Sequence, residues 1–424
     1  MQTEWQGYRS AWGKAIIIAI FILLVAGRIP AILTVGRFWA EEGVVYYSAA
    51  WHEPWFDALF TVHTGYINIA ASAATLLALH LTSPEHAPQV TALFACAVQT
   101  LPAIILATSR IPWLENKLVF AAALILLLIP VGDAEVWLNS ITSQFHMALC
   151  VGLILAADIR CGKVGLLRNA ILVLAPLTGP LSGTLVPVFL LRAGLERSRP
   201  RLIQTVCLGI PTLVQAVMIL THPEPARSIG IGAPLLLAVI GIQNVILPIR
   251  GPSWATHLGE GAFYAFQRGG LSISAILAAI FGIGALAFVL YRRRDRPAQW
   301  LFVAGCTLAV VGYSSALTLG HPLYLLFWIG TRYSYAPSVL LSLSLLGLAA
   351  SGTRFQRIIS SVLVIWMIMI GWKPYFEVNS TFTGGTSWPA EVAKWRQDPV
   401  YGMQMWPPKW PVKLTLDPSD RPGY

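Results

Sequence analysis

Two adjacent carboxylates, Glu41 and Glu42, follow the first apolar stretch within the aromatic-rich run VGRFWAEEGVVYYSAAW. Neighbouring side chains point in different directions in a helix or a strand, so the two cannot form a facing pair. One can reach a reaction centre while the other binds a cation or orients a loop. The plain alternative is a solvated acidic turn. Other polar groups fall in similar segments. Asp133, Glu135, Trp137, Asn139 and Gln144 share one loop between apolar runs, and Arg332-Tyr333 stands in another. His63 opens the turn His63-Thr64-Gly65-Tyr66, while His146 and His321 lie at the boundaries of apolar runs. These histidines read first as interfacial polar contacts. An ionisable side chain tucked against a membrane bundle is costly unless it is paired or used.

The elements that must position these groups are apolar helices. The chain has 424 residues, 56% of them hydrophobic and 11% charged, with a mean hydropathy of +0.66. Soluble domains carry about 25% charged residues. Apolar runs suited to a hydrocarbon core of about 30 Å recur from end to end, so the expected fold class is an all-α polytopic membrane protein. The net charge of +10 comes from short basic clusters between apolar runs. That is the footprint of membrane orientation and not of a nucleic-acid interface. The five cysteines lack CxxC spacing, and no disulfide framework or zinc site is readable. No Walker loop, dinucleotide fingerprint or nucleophile elbow is present.

Charge bias threads these runs through the membrane. Arg9 and Lys14 place the N-terminus inside, and the first span, Ala15 to Leu33, reads as a retained signal anchor. The acid-rich stretch Gly36 to Pro88 lies outside. Within it Gly65 to Leu81 reads as a helix in the outer interface or packed on the bundle, since a crossing there would invert everything downstream. Spans follow at Val90 to Ala107, Leu118 to Val131 and His146 to Ala157. Ala170 to Leu191 is interrupted by TGPLSG and flanked by arginines at both ends. It reads as two short helices meeting at an outer apex. Ile203 to Leu220 and Leu271 to Leu290 cross; parity leaves Ile231 to Leu247, bracketed by Pro234 and Pro248, as an interfacial or re-entrant element. Trp300 to Leu319, Ala336 to Ala350 and Ile359 to Ile370 bring the total to about eleven crossings. The chain thus divides into a membrane domain, residues 1–371, and an external tail, residues 372–424, whose Trp and Pro content suggests a small cap.

The order and sidedness of four features resemble the GT-C class of integral membrane glycosyltransferases. They are Arg37-Phe38-Trp39-Ala40-Glu41-Glu42-Gly43 after the first span, an interfacial helix opening at His63-Thr64-Gly65-Tyr66, the loop with Glu135, Asn139 and Gln144, and Arg332-Tyr333 before a late span. The acidic pair is Glu-Glu where many members carry Asp-Asp or Asp-Glu. The resemblance implies inverting transfer from a polyprenyl-phosphate-linked sugar to a glycan or lipid acceptor, on the periplasmic face of a bacterial inner membrane. In it Glu41, or else Glu42, takes the acceptor proton. Arg332 and Tyr333 hold the donor phosphate, with Arg227 behind them and Arg250 and Arg268 as weaker choices. Arg37, Trp39, His63, Tyr66, Glu135, Asn139 and Gln144 contact substrate, and Trp39, Trp51 and Trp137 stack on a sugar ring. A divalent cation, Mg or Mn, at Glu41 or Glu42 stays open. The rival readings are a polysaccharide polymerase or ligase and a lipid-linked-sugar transporter; the lack of a two-fold repeat weighs against the latter.

Overall fold

The structure is a computed structural model and describes residues 11–34, 36–129, 135–223, 232–291, 296–377, 387–408 and 410–420. The helices in chain order are α1 (Ala11–Ala26), α2 (Ile69–Leu81), α3 (Ala87–Thr108), α4 (Lys117–Leu128), α5 (Ser143–Ala156), α6 (Gly162–Thr178), α7 (Val186–Glu196) and α8 (Arg199–Thr221). They continue as α9 (Ala233–Arg250), α10 (Pro252–Gln267), α11 (Ile273–Tyr291), α12 (Arg296–Gly320), α13 (Phe327–Ser351), α14 (Arg354–Phe376) and α15 (Trp388–Gln397). Among the described residues, seven helices are long and apolar enough to cross a membrane: α3, α8, α9 and α11 to α14. Shorter apolar helices, α1, α2, α4 and α5, pack with them. The protein is a multi-pass helical membrane protein.

Local chemistry sets where these helices stop. The first ends at Ala26, a turn at Gly27–Arg28 follows, and a short helix, Pro30–Thr34, completes the expected stretch to Leu33; α14 closes over the junction. The Tyr375 hydroxyl donates to the Leu24 carbonyl at 3.1 Å, and buried Arg28 donates to the carbonyls of Pro374 and Glu377. The same α14 runs on to Phe376, so the expected domain boundary at residue 371 falls inside a helix. At 13 residues, α2 spans about 20 Å, short of a hydrocarbon core. It buries Ala71, Ala74 and Ala78 and packs on α3, in line with the expected packed helix. It also starts later than Gly65, because residues 62–67 form an antiparallel hairpin, β1 (Val62–His63) and β2 (Tyr66–Ile67). Beside that two-residue pairing the described residues keep the expected all-α architecture. Thr64 and Gly65 both have positive φ, the geometry of a two-residue hairpin turn.

Two helix pairs are discontinuous. The TGPLSG segment does break the chain: α6 ends at Thr178 and a 3₁₀ turn, Pro180–Leu185, leads into α7. Gly179 is required there because a Cβ would collide with Gln144 Oε1. The other pair is α9 and α10, joined at Gly251 with φ +82°. The first half of α9 and the middle of α10 pack near the same 3₁₀ turn, His321–Leu325, with Gly259 seated against the Leu325 carbonyl. The chain therefore doubles back at Gly251.

Charge separates along the bundle. Arg168 and Arg201 reach the end of α5 away from Glu41, donating to the carbonyls of Asp158 and Ala157, each at 2.6 Å. Arg192 and Arg201 share Glu196 there. Buried Arg201 thus satisfies carbonyls at the C-terminal end of α5, Ala157 at the C-cap and Ile154 at 3.5 Å, groups that a helix leaves unpaired. At the other end a cap, residues 387–420, closes over the first loop. Its core joins Phe38, Tyr47 and Trp51 to Trp388, Trp395 and Met405. Two backbone bonds, Ala40 N–H to Trp406 O at 2.6 Å and Trp406 N–H to Phe38 O at 3.0 Å, bind it directly to the chain before Glu41.

Candidate functional site

A single turn separates the roles of the acidic pair. Ala40 has φ +45°, a left-handed conformation that costs a non-glycine residue about 1–2 kcal/mol. The cap holds it there. The chain then enters a π-helical turn, Glu42–Tyr47, with Glu41 just before it. A π turn closes i to i+5, so Glu41 and Tyr46 come to the same side and both line one cavity. Glu42 points the opposite way and is 2% exposed. Its Oε1 accepts from the Ser140 N–H at 2.8 Å and the Ser140 hydroxyl at 2.5 Å, and its Oε2 accepts from the Trp39 N–H at 3.3 Å. Burial pushes the Glu42 carboxyl above the usual carboxylate range, opposed by the Ser140 and Trp39 hydrogen bonds. The catalytic or metal-binding role that the sequence left open to Glu42 is therefore corrected: it pins the 135–142 loop to the first loop. Glu41 makes no side-chain hydrogen bond or ion pair among the described residues.

The cavity has a volume of about 250 Å³ and opens at the capped end of the bundle. Of the residues singled out from sequence, it brings together Glu41, His63, Tyr66, Glu135, Gln144, Arg332 and Tyr333. Each is placed by a definite device. The β-hairpin supplies His63 and Tyr66. It is clamped by Gln215 of α8, which accepts from the Ile67 N–H at 3.0 Å and donates to the Ile67 carbonyl at 2.7 Å and to Pro176 O at 2.9 Å. Gln144, at the start of α5, donates to the Tyr66 hydroxyl at 3.4 Å. Arg332, in the second turn of α13, pairs with Glu135 at 2.6 Å and lies over the Tyr333 ring. The broken segment contributes Pro180, Leu181 and Thr184 to the wall.

Other expected site residues lie elsewhere. Arg37 donates to the Gln404 carbonyl at 2.8 Å and pairs with buried Glu391 at 3.8 Å, so it fastens the cap. Trp39 is buried beside Trp406 in the bridge to the cap. Asn139 turns its own loop: its Nδ2 donates to the Glu135 carbonyl, and its Oδ1 accepts from the Thr142 N–H at 3.0 Å. Trp51 and Trp137 are fully buried and cannot stack on a ligand. Arg227 lies outside the described residues, as does Asp133. No group of three metal-ligating side chains occurs among the described residues.

The sequence missed Tyr46, Asn68, Thr142, Thr184, Ser315 and Tyr324, all of which line the cavity. Only Tyr46 and Tyr324 carried a signal, as aromatics close to the acidic pair and to Arg332. Together the walls offer hydroxyls, amides and aromatic faces around one free carboxylate and one arginine. That chemistry suits a polyhydroxylated ligand with an anionic end. Compared with protein-family models, curated proteins and solved structures, the chain matches none.

Proposed function

We propose that the protein is a membrane glycosyltransferase that moves a sugar from a polyprenyl-phosphate donor to a lipid or glycan acceptor of the cell envelope. The observation that carries this reading is the Glu41 carboxylate, unpaired among the described residues, sharing a cavity with Arg332 amid hydroxyl and aromatic groups. The acceptor hydroxyl oxygen attacks the anomeric carbon as its proton passes to Glu41. The bond from that carbon to the phosphate oxygen breaks, and the lipid phosphate leaves against Arg332, aided by Tyr333. For this Arg332 exchanges Glu135 for the phosphate. A single displacement inverts the anomeric centre. In this reading α1, α3 to α8 and α11 to α14 make about eleven crossings, with the N-terminus cytoplasmic and the cavity periplasmic.

The test is sugar transfer by purified protein in liposomes, with a panel of polyprenyl-phosphate sugars and an envelope-lipid extract as acceptor. Glu41→Gln should lower turnover by about 10²- to 10⁴-fold, the usual worth of a general base. Arg332→Ala should abolish donor use. Full activity in Glu41→Gln would remove the mechanism. The discontinuous pairs α6–α7 and α9–α10 favour a second reading, a transporter of lipid-linked sugars. Lipid movement across the bilayer without sugar transfer, indifferent to Glu41→Gln, would establish that reading instead.

A further inference from the structure

The doubled-back pair α9–α10 packs at the cavity end of the bundle, and a second space lies beneath its tip. This space, about 350 Å³, is roofed by Val245 and Pro248 of α9 and walled by α11, α13 and α14. Leu286 and Val289, Leu345 and Leu348, and Ile359 and Leu363 face it. These walls belong to helices apolar enough to cross the membrane, and they come from the helix halves remote from Glu41. Such a space gives water too few polar partners, and if empty it would forfeit dispersion contacts along every wall. Hydrocarbon is the filling that the surrounding bilayer supplies.

The rim indicates which hydrocarbon. Phe355 and Gln356 line the space in the first turn of α14, and Arg354 and Arg357 flank them. Both arginines are exposed, and neither forms an ion pair among the described residues. Arg296 begins α12 at the same end of the bundle. We propose that this space holds one acyl chain of an anionic phospholipid from the leaflet opposite the Glu41 cavity, with its phosphate at Arg354 and Arg357. The lipid completes the bundle where the doubled-back pair leaves it unfilled. This site is separate from the proposed sugar-transfer cavity and does not depend on that reading.

The experiment uses the full chain in nanodiscs of phosphatidylcholine doped with phosphatidylglycerol bearing a photoactivatable diazirine on one acyl chain. Cross-linked residues are mapped by mass spectrometry. Labelling should concentrate on Leu286, Val289 and Leu363, above that of Leu213 and Val217 on the exposed face of α8. It should drop about 30-fold when the diazirine sits on phosphatidylcholine, the scale of two arginines' attraction to an anionic headgroup. Arg354→Gln with Arg357→Gln should erase that preference yet leave chain labelling in place. Ala285→Trp, which fills the space, should remove the labelling itself. Equal labelling of the space and of α8, or equal labelling by both lipids, overturns the proposal. So does protection of the space from both, which would mean that another protein surface covers it.

Discussion

Glu41 and Glu42 are chemically identical, yet their surroundings give them opposite tests. Glu42→Gln keeps one acceptor oxygen for Ser140 but sets an amide NH₂ against the Trp39 N–H. Leaving a buried donor unmatched costs about 1–3 kcal/mol. Thermal unfolding in detergent should show a clear drop for Glu42→Gln and almost none for Glu41→Gln, although only the latter removes the proposed base. Ala40→Gly relieves a left-handed alanine and should raise the melting temperature slightly, since the relief of about 1–2 kcal/mol exceeds the entropy glycine adds to the unfolded chain. Adjacency alone showed that the pair must split. It could not show which member turned inward, because that depends on the π turn and on the bridge to Trp406, and neither leaves a local sequence pattern.

Among the elements, the break at TGPLSG was legible because a straight span would have carried arginines at both ends. The packing of α2 on the bundle was legible from the charge rule too, since a crossing there would have inverted everything downstream. The hairpin was not, since two-residue strands carry no alternation to read. Its stability also rests on Gln215, far away in sequence. Gln215→Leu should strand the Ile67 amide and carbonyl at a cost of about 1–3 kcal/mol. Hydrogen exchange over residues 62–67 should quicken while that of α8 holds. Gly179→Val should push Gln144 off the Tyr66 hydroxyl, and in transfer assays it should weaken substrate binding more than turnover.

At the scale of the whole molecule, the ion pair that ties the cap to the bundle and the buried carboxyl that ties the first loop to residues 135–142 titrate in opposite senses. Arg396 holds the Glu85 carboxyl far below its ordinary 4.5, at about 2. A lowered folded value means that this contact contributes fully above pH 4.5 and is lost as pH falls through about 2. Buried Glu42 is raised, so its contribution is full below 4.5 and declines as pH rises through its folded value. Acidification from pH 4.5 towards 2 should therefore loosen residues 387–397 first, read by hydrogen exchange. Glu85→Gln should remove that pH dependence. The cap was foreseen as a Trp- and Pro-rich tail, but its attachment to residues 37–40 was not, because no pattern in either segment names the other.

That attachment orders events in time. The ribosome makes Glu41 well before Trp406, and the two backbone bonds between Phe38, Ala40 and Trp406 close only afterwards. At about 5–20 residues per second, the first loop waits roughly 20–70 seconds for its partner. A chain whose final helix fails to insert would present Trp51, Tyr47 and Phe38 uncovered, a ready mark for membrane quality control. The Glu41 carboxylate thus takes its direction from a bridge that closes only after residue 406 has been made.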